Sequence, residues 1–199
     1  MPHDPLPRAF YMHHDVVRLS RELLGKVLVT QLDGRRTSGI ITETEAYAGI
    51  TDRASHAFGG RHTKRNASMY APGGTAYVFL CYGIHHLFNV VTHEAGVPHA
   101  VLVRALAPLE GLAEMKVRRG GRAVLTTSGP GNVSQALGIT HALDGADLLG
   151  DRVWIEDRSI RIPDRDVVSG PRVGVDYAGA DALLPYRFHI APDLVASLP

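Results

Sequence analysis

An Asp-Gly pair at residues 33 and 34 separates two runs of strand-forming residues, 27–31 and 37–47, and constrains the fold more than any other feature of the chain. Asp-Gly accepts φ > 0 at both central positions of a two-residue turn, and that turn matches the twist of antiparallel strands. The pattern recurs at 75–81 and 86–92, where Tyr82-Gly83 occupies the expected hairpin tip. A chain whose strands return on themselves this way builds a mostly antiparallel sheet. The regular strand–helix alternation of a doubly wound parallel sheet is missing, as are its glycine-rich fingerprints.

The remaining segments fit that frame. Residues 1–12 hold three prolines and few apolar residues in register, and read as a flexible arm. His14 or Asp15 can cap a short helix carrying Val16, Leu19, Leu23 and Leu24, closed by Gly25. Residues 48–72 form a long polar loop, a length that in a compact domain goes with function or disorder. Residues 100–106 predict a strand, and 108–119 a helix with Pro108 in its first turn. Ser128-Gly129-Pro130-Gly131 turns sharply into a helix over 133–137. Short strands are predicted at 153–156, 159–162, 172–177 and 186–190. The expected architecture is α+β: one domain over residues 1–199, a curved, mostly antiparallel sheet with peripheral helices and a protruding hairpin.

Composition excludes several classes. The 199 residues are 45% hydrophobic and 21% charged, an ordinary globular balance, with net charge +1. The single cysteine, Cys81, allows neither an internal disulfide nor a CxxC metal pair. No apolar run approaches a membrane span or a signal-peptide core, so a soluble, cytoplasmic protein is expected. The basic clusters Arg61/Lys64/Arg65 and Arg118/Arg119/Arg122, and the acidic stretch 144–157, read on charge alone as solvated loops. Eleven histidines include no HExxH spacing, and adjacent histidines on a strand face opposite ways, so no metal and no cofactor is expected.

The candidate chemistry sits in Glu43-Thr44-Glu45-Ala46-Tyr47. Strict strand alternation puts Ile41, Glu43, Glu45 and Tyr47 on one face. Two carboxylates beside an aromatic ring on an otherwise apolar face repel one another and lose water, which raises the proton affinity of at least one. A general base is tuned to neutral pH in this way, although structural ion networks do the same. Asn89 and Arg104 interrupt apolar strands; buried arginine needs a partner, and Glu43 or Glu45 is the simplest. Tyr77 and Phe79 share a strand face, whereas Tyr82, at a hairpin tip, is difficult to account for as core. Two further readings stay open on these residues: a metal-dependent hydrolase using Glu43, Glu45, His56 and another histidine, and a noncatalytic nucleic-acid-binding module using Arg61, Lys64, Arg65 and Tyr82.

The ordered set ETEAY, ASH, GGRHTKRN, YVFLCYG, NVVT, VLVRALAP, SGPG, ALGI, RVGV and PYRF, spanning about residues 8–190, resembles the monofunctional alkyladenine (3-methyladenine) DNA glycosylase family. The resemblance implies hydrolysis of the N-glycosidic bond of alkylated or deaminated purines, of the 3-methyladenine, 7-methylguanine, hypoxanthine and ethenoadenine class, in double-stranded DNA, by a monomer without cofactor or lyase step. Glu45 then matches the general base that activates water, and Arg104 the arginine that helps hold it. Tyr82 matches the residue inserted into the minor groove, and Tyr47 and His56 the walls around the flipped base. Asn89 matches the residue that excludes guanine. Arg61, Thr63 and Met69, with Lys64 and Arg65 among them, lie in the loop that approaches the DNA backbone and lesion. Phe79 departs from the tyrosine of mammalian members: the ring still stacks, but a hydroxyl is lost.

Overall fold

The computed structural model describes residues 4–121 and 124–198. Its strands are β1 (Val27–Leu32), β2 (Arg35–Tyr47), β3 (Ala76–Cys81), β4 (His85–Thr92), β5 (His99–Glu110), β6 (Val153–Glu156), β7 (Val167–Gly170) and β8 (Arg187–Ile190). They form one curled sheet in the order β3-β4-β5-β2-β1-β6, with β7 joined through β8 to β2. Every ladder is antiparallel. The architecture is a single α+β domain.

Strand β2 is the spine. β5 runs along one edge of it, while β1 pairs with its first half and β8 with Glu43–Glu45 on the other edge. The β1–β2 turn has Asp33 and Gly34 at φ 51° and 74°, as the dipeptide demands. The β3–β4 tip has Tyr82 and Gly83 at φ 51° and 75°, so a tyrosine occupies the left-handed backbone region that Asp tolerates at the other turn.

Helices α1 (Arg8–Tyr11), α2 (Val16–Glu22), α3 (Leu112–Arg118), α4 (Pro130–Leu137) and α5 (Pro192–Val195) lie around the sheet. Asp15 caps α2, its carboxylate accepting from the Arg18 N–H. α2 packs against β2, and α4 against β4 and β5. Between them lies the main core, built from Leu19, Leu23, Ile41, Ala46, Val78, Phe88, Val90, Val101, Val103, Val133 and Leu137. The alternate residues of the same strands (Tyr77, Phe79, Leu87, Asn89, Ala100, Leu102, Arg104) line a cavity on the opposite face.

Several sequence expectations are corrected. Ile41 does not share a face with the glutamates. Register irregularities flank Glu43, and a bulge reverses the alternation, so Ile41 enters the main core with Ala46. The helix expected from 108 begins at Leu112, because β5 continues through Pro108 and Glu110 until Gly111 turns the chain at φ 74°. Residues 159–162 and 172–177 are not strands, while Val167–Gly170 is.

The expected arm is tied down where it is described. Pro5 bridges to Glu156, the Leu6 N–H donates to the Ile155 carbonyl at 2.7 Å, and Tyr11 is fully buried. Its few apolar residues cover the outer edge of β6 and a flank of the core, which sheets require of exposed edges. Residues 1–3 of that arm, and Arg122 of the second basic cluster, lie outside the described residues.

Candidate active site

The cavity is about 1130 Å³ and draws its wall from β2–β5, the 54–69 loop and the 173–177 segment. Behind that wall, held by the lining residues Tyr47, Arg104 and Val173, is a carboxylate with no solvent access. Glu45 is 0% exposed at the second half of β2, where the bulge has turned the glutamates away from the main core. Its Oε2 accepts the Tyr47 hydroxyl at 2.9 Å, and its Oε1 accepts the Val173 backbone N–H at 2.7 Å. Arg104 Nε lies 3.4 Å from the same Oε1 and donates to Glu43 Oε1 at 3.0 Å. Arg187 Nη1, from β8, reaches Glu43 Oε1 at 3.2 Å. Burial pushes the Glu45 carboxyl above the ordinary glutamate range. The Arg104 charge, the Val173 and Tyr47 hydrogen bonds pull the other way, and Glu43 adds to the rise. A carboxylate so placed is a better proton acceptor than one in water, while its donors keep it oriented.

The aromatic wall is assembled around His56. Its Nδ1 and the Tyr77 hydroxyl are 2.8 Å apart, and its ring meets Phe79 edge-on at 4.6 Å. Loss of solvent, with Arg65 and Arg61 nearby, lowers the His56 pKa, which favours the neutral imidazole. Asn89 is buried at the cavity wall. Its Nδ2 donates to the Tyr77 and Leu87 carbonyls at 3.1 and 3.4 Å, which leaves the side-chain oxygen as the atom offered to an occupant.

The 54–72 loop is held by its own polar residues. Buried Asn66 donates to the His56 and Arg61 carbonyls, and accepts both the N–H and the hydroxyl of Thr63. Arg61, Thr63, Lys64 and Arg65 all lie on the exposed side of the loop. The Thr63 hydroxyl is engaged internally, and Arg65 donates to the Leu80 carbonyl of β3 at 2.7 Å. Met69 is 2% exposed, packs with Ala57, Tyr77, Val91 and Ala100, and is among the residues that line the cavity. Tyr82 lines the cavity mouth with 92% of its surface exposed, beside Leu80 and Ile84.

Sequence reading missed three contributors. Val173 supplies a backbone donor to Glu45, and no side-chain pattern reveals a backbone contact made across 128 positions. Tyr177 stands 72% exposed at the same cavity, its hydroxyl donating to the Ala54 carbonyl at 3.1 Å. Arg172 is completely buried behind Tyr47 and paired with Asp52. The signal for Arg172 was available in kind: an arginine preceding an apolar Val-Gly-Val segment needs a buried anion. Among the described residues, no group of three His, Cys, Asp or Glu side chains is placed to hold a metal ion, and no helix is long and apolar enough to cross a membrane.

A curled antiparallel sheet carries an aromatic-walled cavity, a buried carboxylate behind that wall and an exposed tyrosine on a hairpin at its mouth. Comparison with known proteins identifies the family. The profile of the methylpurine-DNA glycosylase (MPG) family matches residues 9–193. A Chlamydia abortus protein is 47% identical, over 92% of this chain and 96% of its own length. Proteins of Bacillus cytotoxicus (42%; 92% and 94%) and Desulfitobacterium hafniense (41%; 93% and 94%) are similar over nearly the same extent. All three carry the provisional name 3-methyladenine DNA glycosylase. The chain belongs to the methylpurine-DNA glycosylase family.

Proposed function

We propose that this protein flips alkylated or deaminated purines out of duplex DNA and hydrolyses their N-glycosidic bond, leaving an abasic site. The observation that carries the reading is the solvent-free Glu45 carboxylate, held by the Tyr47 hydroxyl and the Val173 N–H and paired with the Arg104 guanidinium, three residues that line a cavity of about 1130 Å³. A base within a duplex hides its glycosidic bond, so the nucleotide must leave the stack, at a cost of a few kcal/mol. Tyr82 fills the vacated space and offsets part of that cost. Tyr47, His56 and Phe79 face the everted purine. A cationic alkylpurine gains roughly 0.5–2 kcal/mol per such ring over a neutral base. The Asn89 side chain crowds the 2-amino group of a guanine, a penalty that 7-methylguanine offsets through the attraction of its cationic ring to the aromatic walls, and Arg61, Thr63, Lys64 and Arg65 meet the phosphates.

Glu45 and Arg104 hold a water against the anomeric carbon. As the C1′–N bond breaks, its electron pair leaves with the purine and positive charge grows on the sugar, which the carboxylate stabilises. The water oxygen bonds to C1′ and its proton passes to Glu45. Glu43 and Arg187 support this arrangement by holding Arg104. The substrates are 3-methyladenine, 7-methylguanine, hypoxanthine and ethenoadenine, and Phe79 offers its ring to the pocket without a hydroxyl. Among the described residues no lysine bonds to or pairs with Glu45, and base release proceeds by hydrolysis without a Schiff base or strand cleavage. The protein works as a monomer in the cytoplasm.

The test is single-turnover release of base from duplexes carrying each lesion. Glu45→Gln retains lesion binding and loses release; wild-type release rates in that variant would refute the assignment. Chelator leaves the rate unchanged, and borohydride traps no covalent complex, including at Lys64, an amine at the cavity.

A further inference from the structure

Arg172 is a charged side chain with no solvent exposure, and nothing in the reaction described above uses it. Each of its Nη atoms donates to one oxygen of Asp52 and to one backbone carbonyl. Nη1 reaches Asp52 Oδ2 and the Ala46 carbonyl, and Nη2 reaches Asp52 Oδ1 at 2.8 Å and the Asp181 carbonyl at 3.1 Å. Its guanidinium carbon lies 4.8 Å from the centre of the Tyr47 ring and 5.2 Å from that of Tyr186. The Asp52 carboxylate also accepts the N–H groups of Ala48 and Ala54, both at 3.0 Å. One buried ion pair therefore fastens four segments: the end of β2, the loop leading to His56, the turn at Asp181, and the segment carrying Val173.

Two of these segments deliver the donors that hold Glu45. Tyr47, under the guanidinium, gives its hydroxyl to Oε2; Val173, the next residue after Arg172, gives its N–H to Oε1. A bidentate guanidinium–carboxylate pair fixes direction as well as distance, which a flexible ammonium does not. We infer that Arg172, locked by Asp52, is a positioning residue for base excision: it aims the Val173 N–H and the Tyr47 hydroxyl at the Glu45 carboxylate and thereby sets that carboxylate's orientation and basicity. The inference rests on the reading of Glu45 as the general base.

A role confined to stability predicts a lower melting temperature and nothing else. Positioning predicts a change in the titration of the base. The groups facing Glu45 are Glu43 and Tyr47 from its own strand, Arg104 from β5, Arg187 from β8 through Glu43, and Val173 with Arg172 behind it. In Arg172→Lys the charge opposite Asp52 is kept, and Glu43, Arg104 and Arg187 are untouched. What changes is the fork that aims Val173 and Tyr47. Loosening donors that favour the ionised carboxylate raises its proton affinity, so the ionised form is lost at higher pH.

The experiment measures single-turnover base release from a 3-methyladenine or hypoxanthine duplex at saturating enzyme, from pH 5 to 9, for wild type, Arg172→Lys, Asp52→Asn and Glu45→Gln. Lesion-duplex affinity is measured in parallel. The expected result for both Arg172→Lys and Asp52→Asn is an acidic limb moved upward by about one pH unit and a plateau rate lower by about tenfold, with lesion affinity within roughly threefold of wild type. A folded Arg172→Lys and Asp52→Asn with an unmoved limb overturns the inference, as does failure of both variants to fold at the assay temperature, since the pair would then serve the fold alone. Wild-type release in Glu45→Gln overturns the base-excision reading itself. An inactive Glu45→Gln with an unmoved limb in the other variants rejects only the inference about Arg172.

Discussion

Replacing Tyr82 with Asn should make the protein slightly more stable and markedly less able to capture lesions. The two signs come from different parts of the structure. Tyr82 is 92% exposed, so truncating it forfeits almost no buried surface. Its backbone sits at φ 51°, where a side chain with Cβ costs about 1–2 kcal/mol and Asn is tolerated far better than an aromatic residue. The expected gain in unfolding free energy is up to about 1 kcal/mol. The folded protein thus bears strain at a residue that contributes nothing to its own packing, which is where function is to be sought. On DNA, stacking of an aromatic ring on a base is worth about 1–3 kcal/mol. At 1.4 kcal/mol per tenfold, losing it weakens lesion capture by roughly 5- to 150-fold. Urea denaturation gives the first quantity. Base release at sub-saturating and saturating enzyme gives the second, and the defect should shrink at saturation because the chemistry at Glu45 is unaltered. A variant destabilised by more than 1 kcal/mol, or one that excises lesions normally at low enzyme, would refute the wedge.

Glu45 and Glu110 make opposite predictions for acid. Glu45 is raised by burial, so the folded state holds its proton to higher pH than the unfolded chain does; stability from this site increases as pH falls through its folded pKa, and Glu45→Gln should melt no lower than wild type at pH 7. Burial also pushes Glu110 up, but hydrogen bonds from Ser38 and Arg158 and the charges of Arg158 and Arg36 outweigh it and hold its pKa at about 2. Its contribution is complete above the unfolded value of 4.5 and lost as pH falls towards 2, so Glu110→Gln should cost about 2–3 kcal/mol at pH 7 and little near pH 2, measured by denaturation at both. Tyr11→Ala should cost about 3 kcal/mol or more by thermal or chemical unfolding, because the ring is fully buried where the N-terminal segment joins the core. Tyr177→Ala, at an exposed rim, should leave the melting temperature within a few degrees of wild type and weaken lesion-duplex binding in a titration.

The local code of this chain was legible because short-range physics decides it. Asp33-Gly34 fixed the first hairpin, and alternation along β3, β4 and β5 separated core from cavity. The arginine inside VLVRAL required the carboxylates it meets. Where two influences compete, tertiary structure decided. Nothing in the composition of residues 1–12 shows that Leu6 and Tyr11 will find an open sheet edge to cover. The bulge flanking Glu43 falls where β2 passes from its pairing with β1 to its pairing with β8, and it removed Ile41 from the face that strict alternation gave it. Pro108 reads as a helix start until β5 is seen to extend past it. Above all, the sequence by itself determined that Glu45 would lie on a strand beside Tyr47. Only the folded chain could bring the Val173 N–H to it from 128 positions away, with the Arg172–Asp52 pair behind, because burial and hydrogen-bond geometry are properties of neighbours in space.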